Sequence, residues 1–164
     1  VKTGIFFGEL RTVHAGSEPR LFGPRRVWYR VLQPINNKFA YMDGAGGLHI
    51  PPSGMKTDFG SVPWPAQSFF PPLEYDRIYV IHDQLCYFGT LPRRRADWIL
   101  LEGIYTIQLE GREKFKPWVV MVWIAPRDLV KRRTIYYFVR CWGIIVWLKK
   151  RRRAVRELEA KTLR

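Results

Sequence analysis

The stretch Tyr79–Asp97, reading Y-V-I-H-D-Q-L-C-Y-F-G-T-L-P-R-R-R-A-D, limits the fold more than any other part of this chain. An apolar run carrying His82 and Asp83 stops at Gly89, and a second run starts at Pro92. Glycine suits the left-handed residue that closes a helix, and proline suits a first helical turn. The order predicts two helices joined by a tight connection. His82 lies seven residues before Gly89, and Asp97 lies seven after Thr90. Seven residues are about two helical turns, so in an antiparallel hairpin the two side chains stand level. A His–Asp pair across the helices is the expectation, with Asp83 beside it.

The flanks carry the same period. Glu74–Phe88 has apolar residues at 75, 78, 79, 81, 85 and 88, with Ile78, His82 and Cys86 on one face. Pro92–Leu109 places Ala96, Ile99, Leu100, Ile104 and Ile107 on a stripe.

Upstream, the pattern is that of strands. Arg26–Leu32 and Lys38–Met42 are rich in β-branched and aromatic residues, with Asn36-Asn37 between them, so the two are expected to pair as a hairpin. Asp43–Gly47 reads as a second turn and Leu48–Ile50 as a short strand that Pro51-Pro52 ends. Residues 1–26 read as an arm with one strand within Gly4–Leu10, and Ser53–Pro72 as an ordered, irregular loop.

Downstream, Pro117–Ala125 is nearly all apolar, which suits a buried strand or two buried helical turns. Pro126 is expected to end it and Asp128 to cap a last helix over Val130–Lys150. The expected class is α+β: a small N-terminal antiparallel sheet, a helical hairpin and a long C-terminal helix. The expected organisation is an arm over 1–26, one domain over 27–148 and a basic tail over 149–164.

A length of 164 residues suits one domain with a real core, and 47% hydrophobic content argues against disorder. Twenty-eight Lys and Arg against 14 Asp and Glu give a net charge of +14, which points to a polyanionic partner. Runs at Arg93–Arg95, Lys131–Arg133 and Lys149–Arg153 concentrate that charge, although most such runs are solvated faces. Lipid or nucleic acid bound through the basic C-terminal segment is the expectation for an anionic surface. The apolar stretch Thr134–Leu148 is interrupted by Arg140 and falls short of the roughly 20 residues a spanning helix needs. Val1–Gly4 is followed by scattered polar residues, so no signal peptide is expected there. Cys86 and Cys141 lack the spacing of a zinc site and are too few for a disulfide scaffold; buried free thiols without a disulfide partner are expected.

Three ordered motifs carry a resemblance. Thr57-Asp58-Phe59-Gly60-Ser61-Val62-Pro63, then His82-Asp83, then Arg94-Arg95-Ala96-Asp97 together resemble a small bacteriophage and prophage family of unknown function. The resemblance runs from about Val27 to Leu101 and resumes at Tyr136–Gly143. The chain departs from the family pattern in having Gly60 for alanine, Cys86 for a tyrosine, and Gln108–Arg133 as additional sequence. The resemblance implies a phage context: a virion-associated structural protein of the tail, baseplate or neck, assembled in the host cytoplasm and docked on other virion proteins.

The alternative comes from the site. A His-Asp pair on one helix facing an aspartate on another is similar to the core of secreted phospholipases A2. That likeness implies His82 as general base, Asp97 as the carboxylate that orients it, Asp83 as a metal ligand and Asp58 as a second one. The metal implied is a divalent cation such as calcium, with carbonyls of the 57–61 loop completing the shell. The implied activity is metal-assisted hydrolysis of an envelope component during phage entry. The bland reading is a buried histidine satisfied by a facing aspartate, with Asp58 capping backbone amides. Isolated His14 and His49 are poor evidence of a site. Ser61 lacks the strand-to-helix elbow of a hydrolase nucleophile.

Overall fold

In a computed structural model, the protein is described over residues 3–19, 26–59, 74–117 and 120–140. Among these residues the class is the expected one: antiparallel strands come first and helices follow. The strands are β1 (Ile5–Phe7), β2 (Arg11–Glu18), β3 (Arg26–Leu32), β4 (Ala40–Met42), β5 (Leu48–His49) and β6 (Lys56–Thr57). They form two three-stranded sheets, ordered β1-β4-β5 and β2-β3-β6.

The expected hairpin between Arg26–Leu32 and Lys38–Met42 does not form. β3 pairs with β2 through seven residue pairs and with β6 on its other side, while β4 lies between β1 and β5. The cause is the corner at Gln33-Pro34. Proline cannot continue the ladder, and the Gln33 side chain takes over the local bonding. Its Nε2 donates to Phe39 O at 2.9 Å and to Pro51 O at 2.8 Å, and its Oε1 accepts from Phe39 N at 2.8 Å. Asn37 takes the left-handed conformation of a turn, with φ 61°, but the turn leads into the other sheet. Residues 3–19 contribute two strands, one to each sheet, where one was expected.

The helical hairpin forms as the sequence predicts. α1 spans Asp76–Phe88, closes on Gly89 at φ 62°, and α2 spans Arg93–Arg112 after Pro92. Ile78, Ile81 and Leu85 of α1 and Ala96, Ile99, Leu100 and Ile104 of α2 are buried, together with Val31, Phe39 and Tyr41 of the strand region. Phe88, read on the same apolar face, is half exposed, because it ends the helix beyond the reach of the sheets. The helices approach closely at Gly103, where an added Cβ would lie 2.2 Å from Ile78 Cδ1. Alanine there would drive Ile78 out of its place.

The segment after α2 differs from expectation. Val120–Ile124 is a π-helix, and residues 125–140 continue as helix, here α3. Pro126 therefore does not end the element. A π turn shifts the hydrogen-bond register, which leaves a proline's missing N–H without the usual cost. Nor is the apolar run buried: Met121, Val122 and Trp123 are all exposed. Asp128 lies inside the helix and bonds to Arg112 Nε at 2.9 Å rather than capping. Ile135 is buried, and Phe138 and Val139 pack on the core, so α3 is anchored by one face. No helix among the described residues is long and apolar enough to cross a membrane.

Candidate functional site

His82 and Asp97 do meet across the hairpin. His82 Nε2 lies 3.1 Å from Asp97 Oδ1, on a carboxylate that is wholly buried. Two guanidiniums share the other oxygen: Arg93 Nε at 3.6 Å and Arg140 Nη1 at 3.5 Å from Asp97 Oδ2. Arg93 also donates from Nη2 to Val139 O at 2.8 Å and to Arg140 O at 2.9 Å. The basic run at Arg93–Arg95 is thus no simple solvated face. Arg93 fastens α3 to the hairpin, Arg95 Nη2 reaches Asp43 Oδ2 at 2.9 Å, and Arg94 alone of the three is exposed.

Cys86, one turn along α1, has its Sγ 3.6 Å from the same His82 Nε2. It is a partly buried free thiol, while Cys141 lies outside the described residues. Burial works against a charged ring at His82, but the neighbouring Cys86 sulfur and the hydrogen bond to Asp97 outweigh it. The pKa is pushed up to about 10. The raised pKa favours the imidazolium, a donor with no free nitrogen lone pair. A general base needs that lone pair. In this arrangement His82 and Asp97 form an ionic crosslink.

The 57–58 motif joins the same helix. Thr57 Oγ1 donates to Asp83 Oδ2 at 2.8 Å and accepts from Phe59 N at 3.1 Å, so the strand β6 is tied to α1 beside the His82 pair. Asp58 Oδ2 accepts from Arg26 Nε at 2.5 Å, a partner on β3. Phe59 adopts φ 54° and packs its ring against Tyr29, with centroids 4.7 Å apart. Gly60 and Ser61 lie outside the described residues. Calcium takes six to eight oxygens. Among the described residues no three His, Cys, Asp or Glu side chains come together as a metal site.

A second His–Asp pair escaped the sequence reading. His49 Nε2 lies 3.1 Å from Asp43 Oδ2, and Asp43 Oδ1 accepts from Ala45 N and Gly47 N, each at 2.9 Å. The carboxylate closes the turn between β4 and β5, and Arg95 ties that turn to α2. Burial raises the Asp43 pKa, yet His49, the two amides and Arg95 together hold it below the usual carboxylate range. The D-G-A-G-G turn was legible, but nothing in it marked His49 as the partner. A third buried carboxylate, Glu102, accepts from Tyr41 O–H at 2.9 Å and Gly44 N at 2.6 Å. Burial is the first cause that raises the Tyr41 pKa well above its ordinary value, and Glu102 adds to it. His14 makes a ring contact with Tyr29, 6.2 Å between centroids.

Each of the sequence motifs thus supplies a tie between elements: Thr57 to Asp83, His82 to Asp97, Arg95 to Asp43. Comparison with known proteins adds one match. The model of a family described as "Protein of unknown function (DUF1353)" matches residues 33–125, more than half of the chain. That range enters Gln108–Arg133, which the motif resemblance had set aside as additional. No curated protein and no solved structure matches.

Proposed function

The chain belongs to the DUF1353 family, and we propose that it is a bacteriophage virion-associated structural protein, a tail, baseplate or neck component that docks on other virion proteins. The phage context comes from the three-motif resemblance. The docking is supported by one structural observation above others: the outer face of the β1-β4-β5 sheet is apolar. Ile5 pairs with Met42, and Met42 with Leu48, so the three side chains form a row across one face. Ile5 and Leu48 are exposed, and Phe7, two residues along β1 on the same face, is exposed as well. Contiguous apolar surface of this kind marks contact sites. The polar motifs, meanwhile, are consumed in holding the elements together.

The protein is expected in purified particles at fixed stoichiometry, detected by quantitative mass spectrometry. Replacing Ile5 and Leu48 together by serine should remove it from particles while leaving the isolated protein folded. A protein missing from wild-type particles overturns the proposal.

The rival is a metal-assisted hydrolase of an envelope component, with His82 and Asp97 as the catalytic pair. The 3.1 Å contact favours it, and the protonated ring counts against it. Ester release from phospholipid vesicles with calcium, abolished by His82→Ala in a variant shown to be folded, would establish it. Absence of release removes it.

A further inference from the structure

A second exposed surface differs in kind from the sheet face. Through the π turn Val120–Ile124, each turn of backbone holds about one residue more than in an α-helix, and three consecutive apolar side chains, Met121, Val122 and Trp123, face outward. Along α3, Arg127, Val130, Thr134 and Tyr137 recur at spacings of three and four on the outward face, and all are exposed. The opposite face, with Ile135, Phe138 and Val139, is used in anchoring to the core. Trp123 is 69% exposed and Tyr137 64%, values far above what a buried core would leave to aromatics of this size.

Over residues 113–140 the exposed charges have one dominant sign. Lys114, Lys116, Arg127 and Arg133 are exposed, against Glu113 alone among exposed acidic residues over 113–140. Asp128 on the inner side is already taken by Arg112 at 2.9 Å. Lys131 is likewise taken, by Glu74 and by the face of Tyr75. Arg127 and Arg133 fall between Trp123 and Tyr137 along the helix, with Val130 between them.

We propose that this face, Met121 to Tyr137, lies on an anionic phospholipid surface. From Trp123 to Tyr137 is about 21 Å at the α-helical rise. The two amphipathic rings at its ends suit the headgroup level, and Val130 between them suits the acyl boundary. Arg127 and Arg133 are placed for lipid phosphates. A nucleic-acid strand would stack on the aromatics, but Met121, Val122 and Val130 offer no stacking surface. The segment lies on a membrane and does not span one. This surface is separate from the sheet face that carries the docking proposal, so particle analysis and vesicle binding succeed or fail independently.

The test is flotation of the full chain with vesicles of phosphatidylcholine alone or with phosphatidylglycerol added. Binding to the anionic vesicles, and its loss at high salt, is expected. Arg127→Ala and Arg133→Ala should each weaken it about fivefold, the effect of one cation near such a surface. Met121→Ser with Trp123→Ser should weaken it by about tenfold or more through lost apolar burial. These positions are exposed, so the fold is kept, as circular dichroism would check. No binding to anionic vesicles overturns the proposal. So does binding that the Met121/Trp123 and Arg127/Arg133 variants leave unchanged, which would place it on the basic segment after residue 148. Preference for an oligonucleotide over the vesicles, lost in the same variants, would replace lipid by nucleic acid.

Discussion

The two His–Asp–Arg clusters have nearly the same inventory and differ in what stabilises the carboxylate. Asp97, in the helical hairpin, faces one imidazolium and two guanidiniums, and the contacts around it are with charged side chains. Asp43, in the β4–β5 turn, accepts two backbone amides besides its histidine and arginine. One is held by charged side chains alone, the other by two backbone hydrogen bonds as well. A buried group held by charge cannot lose that charge without stranding its partners, whereas a turn-closing oxygen needs only to remain an acceptor.

Asparagine separates the two with little change of shape. Asp97→Asn leaves the His82 ring and both guanidiniums without their anion, and should destabilise the protein by about 3–5 kcal/mol. Asp43→Asn keeps an oxygen for Ala45 and Gly47 and should cost about 1 kcal/mol. Urea unfolding of the two variants measures both. Equal losses would break the distinction, because Asp43 would then be held by charge as Asp97 is.

The pH response sharpens it further. The His82 pKa is raised from 6.5 to about 10 in the folded protein, so the native state binds the extra proton. Its contribution is complete below pH 6.5 and is lost as pH rises through about 10. Stability should therefore fall between pH 7 and 10, by a few kcal/mol at most. His82→Gln should flatten that decline. Asp43 has the opposite sign: its folded pKa is lowered, so its contribution is present above the usual carboxylate range and lost as pH falls below it. Thermal melts from pH 3 to 10 on wild type, His82→Gln and Asp43→Asn check both limbs. An alkaline limb unchanged in His82→Gln would mean that another group carries it.

What could be read in advance follows the same division. The hairpin and its His82–Asp97 contact were legible because helical spacing is local: Gly89 and Pro92 fix the ends, and counting residues gives the level of each side chain. Strand pairing is not local. Arg26–Leu32 was read as a strand correctly, but its partners, β2 and β6, were chosen by the corner at Gln33-Pro34 and by core packing, neither of which leaves a periodic trace. The His49–Asp43 pair hides in a turn, where spacing says nothing about which side chain reaches which. The π turn at Val120–Ile124 escaped because an unbroken apolar run reads as buried, and only its unusual helical period shows that three successive residues face outward.

The arginines supply the smallest contrast. Arg93 and Arg95 both bond a buried carboxylate, but the Arg93 side chain is 15% exposed and the Arg95 side chain 35%. Solvent screens the second pair, and exposed ion pairs contribute little. Arg93 also donates to two carbonyls of α3, bonds that fall away with the side chain. Arg93→Met should cost about 2 kcal/mol and show little salt dependence. Arg95→Met should cost about 0.5 kcal/mol at low salt and less at 1 M salt. Unfolding curves for the two variants at both salt concentrations measure this. If Arg95→Met costs as much as Arg93→Met, the turn cluster depends on its charge after all, and backbone hydrogen bonding alone does not account for Asp43.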